Sequence, residues 1–345
     1  MALARTATIE WHEPPAATGV HRLELALDRR CTHALVRYLD IAGALLGATL
    51  WDLRSGSVVP GESVDLHPDG RTALRREGDA IVLFDLAERA PIVELATRAR
   101  LLALCPDAPY VVERPRADVG EDGRVRATLE VLEAQSGRAL HALETKSVLE
   151  ALLPGGKLAA VGSRGAVTVW DLATGERVGK SAGLAKPASI RVAPAGAFAI
   201  GARDGKWATF AAEGGAPSKS GTSKIVLTGD AQFDGSRFVG TNVLLDVATG
   251  RAKSHAKGWL TGRRHASAAR ERTVLLEHPL AAVLTSRDLL GAPVVELWNV
   301  ESSEKLSSIE VGEQAATLAF ANGTIVVAHA PRSGSAGPAL TVLAT

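Results

Sequence analysis

One phrase recurs along this chain: an apolar strand end, an acid or amide, one more apolar residue, then a turn bearing Gly or Ser. That recurrence limits the possible folds more than any other feature. Val169-Trp170-Asp171-Leu172-Ala173-Thr174-Gly175 is the clearest copy. Thr49-Leu50-Trp51-Asp52-Leu53-Arg54-Ser55-Gly56, Leu83-Phe84-Asp85-Leu86, Leu244-Leu245-Asp246-Val247-Ala248-Thr249-Gly250 and Leu297-Trp298-Asn299-Val300 are others. Aligned on the acid, the copies fall at Asp52, Asp85, Glu133, Asp171, Ala211, Asp246, Asn299 and Ala344. The first and last lie 292 residues apart over seven intervals, about 42 each.

A period near 42 belongs to propeller blades of four short strands. Helical repeats of that length would place apolar residues at i, i+3, i+4 and i+7, and this pattern is missing. Two further strands precede each anchor. In the fourth unit they are Val148–Leu153 and Lys157–Val161, split by Pro154-Gly155-Gly156. In the fifth they are Ile190–Ala193 and Phe198–Ala202, split by Pro194-Ala195-Gly196. In the second, Val64–His67 and Thr72–Arg75 flank Pro68-Asp69-Gly70. Such clusters supply the fixed and positive φ values that tight antiparallel turns require. A fourth strand follows each anchor, as Ala139–Leu143 follows Gln135-Ser136-Gly137. The order a-b-c-d therefore repeats, all antiparallel.

The last unit, Ala316–Phe320, Thr324–His329 and Ala339–Leu343, stops one strand short, while Arg5–Trp11 alternates like a strand and belongs to no unit. The N-terminal strand is expected to complete the last blade, because an open ring would leave two edges of unpaired backbone groups. The fold class is thus all-β: a closed β-propeller of four-stranded antiparallel blades, eight by count. The sixth set, near Phe233–Val247, has the weakest signals, and without it the count is seven.

These motifs resemble those of the WD40-repeat β-propeller family in a divergent, bacterial-type form, over nearly all 345 residues. Trp-Asp stands intact at Trp51-Asp52 and Trp170-Asp171, with Trp298-Asn299 a near match. The Gly-His dipeptide common near the family's repeat starts is missing, so the buried network built on that His is not implied here. The resemblance implies scaffold work, and two rims: b–c and d–a loops on one, a–b and c–d turns on the other.

Composition agrees with a single domain over residues 1–345, since all-β folds often run long as one unit. Apolar residues make up 46% and charged residues 22%, enough for a large core. A net charge of +1 argues neither for nor against an acidic partner. No run approaches the ~18 apolar residues of a membrane span. Glu10, His12 and Glu13 interrupt any signal-like start, so a cytoplasmic location is expected. Abundant Ala and Arg point to a bacterial coding sequence of high GC content.

Catalytic signatures are not apparent. Cys31 and Cys105 provide no disulfide framework and read as small apolar packing residues. The nine histidines, among them His12, His21, His33, His67 and His141, lack metal-ligand spacing, so no metal or cofactor is expected. Gly214 through Lys224 imitates a phosphate loop, but Thr222 directly follows Gly221 where Lys is needed. It reads as a flexible connection between blades. Ser163 and Ser286 lack the strand-to-helix elbow of a hydrolase nucleophile. The anchor acids Asp52, Asp85, Asp171 and Asp246 read as turn acceptors rather than catalytic acids.

The b–c loops carry an arginine in most units: Arg76, Arg114 and Arg116, Arg164, Arg203, Arg287 and Arg332. Longer loops on that rim are where binding residues gather. Nearby acids offset several of them, namely Asp79 beside Arg76, Asp204 beside Arg203 and Asp288 beside Arg287. The longest d–a connection, about 251–272, is a basic insertion with Arg251, Lys253, Lys257, Arg263, Arg264, Arg270 and Arg272 against Glu271, and it contains Trp259. Guanidinium forks suit carboxylates and phosphates, and an indole can stack on a base or pack into a partner.

The leading expectation is a non-enzymatic scaffold that docks another protein on this rim through Arg76, Arg116, Arg164, Arg203, Trp259, Arg263, Arg264, Arg287 and Arg332. One alternative is nucleic-acid or other polyanion binding through the basic insert. Another is a propeller enzyme with an axial site. Fold alone does not choose among them.

Overall fold

The computed structural model describes residues 2–345 except 12–18, 43, 79, 96–100, 115–117, 120–124, 146, 224–231, 241–242, 255–271, 276–279, 287–292, 300, 303, 313 and 332–336. Every regular element among the described residues is a strand, and the strands form eight antiparallel sheets. No described segment is a helix long and apolar enough to cross a membrane.

Contacts group the chain into two compact units, Met1–Gly70 with Ser254–Thr345, and Arg71–Lys253. In the first, Arg22–Leu27, His33–Leu39, Leu45–Asp52 and Ser57–Val58 make blade 1. Arg272–Leu275, Leu280–Ser286, Pro293–Asn299 and Glu304–Glu310 make blade 7. Blade 8 comprises Ala315–Ala321, Thr324–His329 and Pro338–Ala344, and Ala4–Glu10 pairs with the last of these from Ala4↔Ala344 to Glu10↔Pro338. The expected completion of the last sheet by the first strand is present.

Blade 4 is Ser147–Leu153, Lys157–Gly162, Val167–Asp171 and Arg177–Ser181, and blade 5 is Pro187–Val192, Phe198–Ala202, Lys206–Ala211 and Gly214–Thr222. Blade 6 is real although its sequence signal is weak: Gln232–Phe233, Arg237–Gly240, Val243–Asp246 and Ala252–Ser254 pair in order. Blade 3 runs Leu101–Leu104, Tyr110–Arg114, Val125–Glu133 and Ala139–Thr145, with the short Asp118–Val119 also paired to Val125–Glu133. Glu62–Leu66, Thr72–Glu77, Ala80–Asp85 and Ala90–Leu95 form blade 2. The count is eight.

The recurring phrase has a physical cause. Asp52 Oδ1 accepts the backbone N–H of Arg54 at 2.9 Å and of Ser55 at 3.2 Å. Asp85 does the same for Ala87 and Glu88 at 2.8 and 3.0 Å, and Asp171 for Ala173 and Thr174 at 2.8 and 3.1 Å. Asn299 repeats it on Glu301 and Ser302 at 2.9 and 3.1 Å, so the amide oxygen suffices. Asp246 accepts from the N–H and the hydroxyl of Thr249. Gly56, Gly137, Gly175 and Gly250 close these hairpins at φ of 66° to 72°, where a Cβ is disfavoured. The c strand then shifts register against the d strand, as between Val169 and Trp170.

Between sheets the alternating apolar faces meet. Trp51 is fully buried beside Trp11, ring centroids 5.3 Å apart in an edge-on arrangement, with Leu23, Tyr38, Val326 and Leu340 around them. Phe198 and Phe210 stack at 5.1 Å among Val161, Val169 and Ile200, joining blades 4 and 5. Losing one such aromatic side chain costs about 3–5 kcal/mol.

One expectation fails. Gly214–Thr222 is not a flexible connection but the outer strand of blade 5, with Lys206↔Thr222 and Thr209↔Lys219 paired. An edge strand tolerates Pro217 because one side of its backbone needs no ladder partner. Its glycines permit close packing: a Cβ on Gly221 would lie 2.8 Å from the Trp207 ring, and one on Gly214 2.7 Å from Val169. A Cβ on Gly179 in blade 4 would lie 2.3 Å from the Glu213 carbonyl. Composition that reads as loop thus serves a tight join between two sheets.

Candidate partner-binding rim

In an antiparallel a-b-c-d sheet the b–c and d–a connections leave from the same end. Arg164 lies in the b–c turn of blade 4, between Gly162 and Val167, and is exposed. Arg203 lies in the corresponding turn of blade 5 and is exposed. Arg76 is exposed at the b-strand end of blade 2, paired through its backbone with Ile81. These three predicted residues therefore sit at the same end of their sheets within one compact unit. Arg114 ends the b strand of blade 3. Arg116, Trp259, Arg263, Arg264, Arg287 and Arg332 lie outside the described residues, as does most of the 251–272 insertion.

The expected offset of Arg203 by Asp204 is not what the structure contains. Asp204 pairs instead with the Lys206 ammonium at 2.8 Å and also accepts the Lys206 N–H. The hydrogen bond from that ammonium holds the Asp204 carboxyl below the usual carboxylate range. The pair is exposed and screened by solvent. Among the described residues Arg164 and Arg203 have no ion-pair partner.

The d–a loops pack onto these turns. A Cβ on Gly165 would lie 2.2 Å from the Leu184 carbonyl, and one on Gly183 2.2 Å from the Gly165 carbonyl. Arg203 N–H reaches the Lys186 carbonyl at 3.4 Å, and Ser223 N–H reaches that of Gly205 at 3.0 Å. This interlocking sets the segment bearing exposed Lys180 and Lys186 against the turns of Arg164 and Arg203, the second of which is followed by exposed Lys206. Reading only the b–c loops missed these lysines. The signal was present in the d–a segment Lys180–Lys186, whose only charged residues are its two terminal lysines.

Other candidate chemistry resolves into structure. Burial raises the Cys31 thiol to about 11 and the Cys105 thiol to about 12, which keeps both protonated and unreactive near neutrality. Asp52 loses some solvation, which raises its pKa, but hydrogen bonds from Ser55 and Arg54 outweigh this and leave it below the ordinary range. Asp246 is lowered chiefly by the Thr249 N–H. Both are ionised turn acceptors rather than proton donors near neutrality. His141 Nε2 contacts the Ala173 carbonyl at 2.8 Å and clips blade 3 to the blade 4 hairpin. Among the described residues no group of three or more His, Cys, Asp or Glu side chains is arranged to hold a metal.

No family model matches the sequence. No curated protein matches it either. Solved structures do. The computationally designed Ika8 protein superposes with a TM-score of 0.58 at 15% identity, covering 94% of this chain and 98% of that one. BamB from Moraxella catarrhalis gives 0.57 at 14% identity, covering 99% and 98%. The C-terminal WD40 domain of Sif2 gives 0.56 at 12% identity, covering 100% and 98%. Identities this low carry the architecture and nothing finer. The chain has the fold of a WD40-type β-propeller with eight four-stranded blades.

Proposed function

We propose that this protein is a non-enzymatic interaction scaffold that docks another protein on the rim formed by its b–c and d–a connections. The observation behind this reading is the placement of Arg76, Arg164 and Arg203, all exposed at the same end of their sheets. The anchor acids support it from the other side, because Asp52, Asp85, Asp171 and Asp246 are committed to closing hairpins. A propeller scaffold presents a rigid frame with variable loops on it, and such loops carry recognition. Structures with the same fold include a WD40 domain, a family whose members commonly serve as interaction platforms.

The test compares two triple charge reversals with equal change in net charge. Arg76→Glu, Arg164→Glu and Arg203→Glu alter the proposed rim. Arg54→Glu, Arg89→Glu and Arg138→Glu alter exposed arginines of the c–d hairpins. Tagged proteins are expressed in the native host, and captured partners are compared by quantitative mass spectrometry. A partner lost at least tenfold by the first variant and retained by the second, with both melting like wild type, is the expected result. Retention by the first and loss by the second would refute the assignment of the rim.

A further inference from the structure

Charge in blades 4 and 5 is unevenly divided between the two rims. Of the five acids between Ser147 and Ser223, Asp171, Glu176 and Glu213 lie in the c–d hairpins, and Glu150 lies within a strand bonded to Ser147. Lys157 on that side is bound to Glu213 at 3.1 Å. The opposite end carries Arg164, Lys180, Lys186, Arg203 and Lys206, with Asp204 in the blade 5 turn, and all five cations are exposed. Since Asp204 is taken by Lys206, the other four have no ion-pair partner among the described residues.

This cluster is assembled from three separate segments, and close contacts hold them together. The Gly165–Leu184 and Gly183–Gly165 approaches leave no room for a Cβ. Lys186 is held at φ 55°, directly before Pro187, where Gly or Asn would fit at lower cost. Beside the cluster Val148 is 55% exposed, at the irregularity where Ser147 pairs with Gly162 and Leu149 with Val161. No exposed aromatic lies in these segments, so a platform for stacked bases is missing from them. Paired guanidinium and ammonium groups next to an apolar side chain fit carboxylates interspersed with aliphatic residues.

We infer that the Arg164, Lys180, Lys186 and Arg203 cluster is the recognition subsite for an acidic, aliphatic-containing extended segment of the partner protein. The inference rests on the docking rim proposed above and names what that rim reads.

The probe is a fluorescein-labelled octapeptide of alternating glutamate and leucine, titrated against the full chain by anisotropy at about 50 mM and about 300 mM salt. Binding should weaken with salt because exposed ion pairs are screened. The same peptide with glutamine for glutamate should bind at least tenfold more weakly. Lys186→Glu with Arg203→Glu should weaken capture of the acidic peptide at least tenfold. Arg164→Glu with Lys180→Glu should do likewise, and provides an independent pair if the first perturbs folding. Absence of acidic-peptide binding, unchanged binding by both double variants, or tighter binding of a twelve-nucleotide thymidine oligomer would each overturn the inference. The two readings fail separately. Loss of the native partner in the rim variant without peptide binding ends only the acidic-segment assignment. Peptide binding with native capture unaffected by rim reversal ends the docking reading.

Discussion

His329 makes a sharp forecast about pH. It ends the b strand of blade 8 with no exposed surface, and its Nε2 lies 2.9 Å from the Thr341 hydroxyl. Burial, with a smaller contribution from the nearby Arg5 charge, lowers its pKa from 6.5 to about 4. A folded-state value below the unfolded one means that the neutral ring's contribution is fully present above about pH 6.5. It is lost as pH falls from there towards 4, because the unfolded chain takes up the proton first. At 1.36 kcal/mol per pH unit the full gap amounts to about 3 kcal/mol. About 1 of this should be gone by pH 5.5 and about 2 by pH 4.5. The assay is urea unfolding of wild type and His329→Gln at pH 7.0, 5.5 and 4.5, with the difference between the two curves removing the carboxylates common to both. Gln keeps a donor near Thr341 but does not titrate. The stability gap between the proteins should shrink by about 2 kcal/mol across that range. A gap constant within about 0.5 kcal/mol would refute the reasoning, as would an imidazole that titrates near 6.5 by NMR.

Two further predictions concern the hairpins that repeat along the chain. Arg89 stands at φ 53° in the blade 2 hairpin, where sister hairpins have Gly56, Gly137, Gly175 and Gly250. Arg89→Gly should therefore stabilise the protein by about 0.5–1 kcal/mol, read as a higher urea midpoint, and a lower midpoint would contradict the strain argument. Asp171→Ala removes the acceptor for two backbone N–H groups and should cost about 1 kcal/mol, whereas Asp171→Asn should cost less than half as much, since Asn299 makes the same pair of bonds. Equal losses in the two variants, measured by urea unfolding, would show that charge rather than geometry holds the turn.

The architecture was largely legible because its punctuation is local. In blades 1, 2 and 4 an acid that accepts two N–H groups, followed four residues on by a positive φ, writes the c–d hairpin directly into the sequence. Pro154-Gly155-Gly156 and Pro194-Ala195-Gly196 do the same for a–b turns, with Gly155, Gly156 and Gly196 all at positive φ. Gly214–Thr222 was illegible because its pairing with Lys206–Ala211 and its close packing on Gly179 of blade 4 are set by the fold rather than by its own side chains. Of the proposed rim, Arg164 and Arg203 could be read within single loops and Lys206 adjoins the second of them, whereas Lys180 and Lys186 meet these turns only through contacts between separate segments.

The pairing of Ala4 with Ala344 spans 340 positions, and it has a consequence for how the molecule is made. During translation the opening strand emerges hundreds of residues before the segment that will receive it. Its backbone donors and acceptors must stay hydrated, or be shielded by a chaperone, for most of the synthesis time. Contacts of such long range form late and slowly. The nascent protein therefore carries a sticky free edge until Pro338–Ala344 leaves the ribosome, and the interval before that moment is when aggregation competes most strongly with folding.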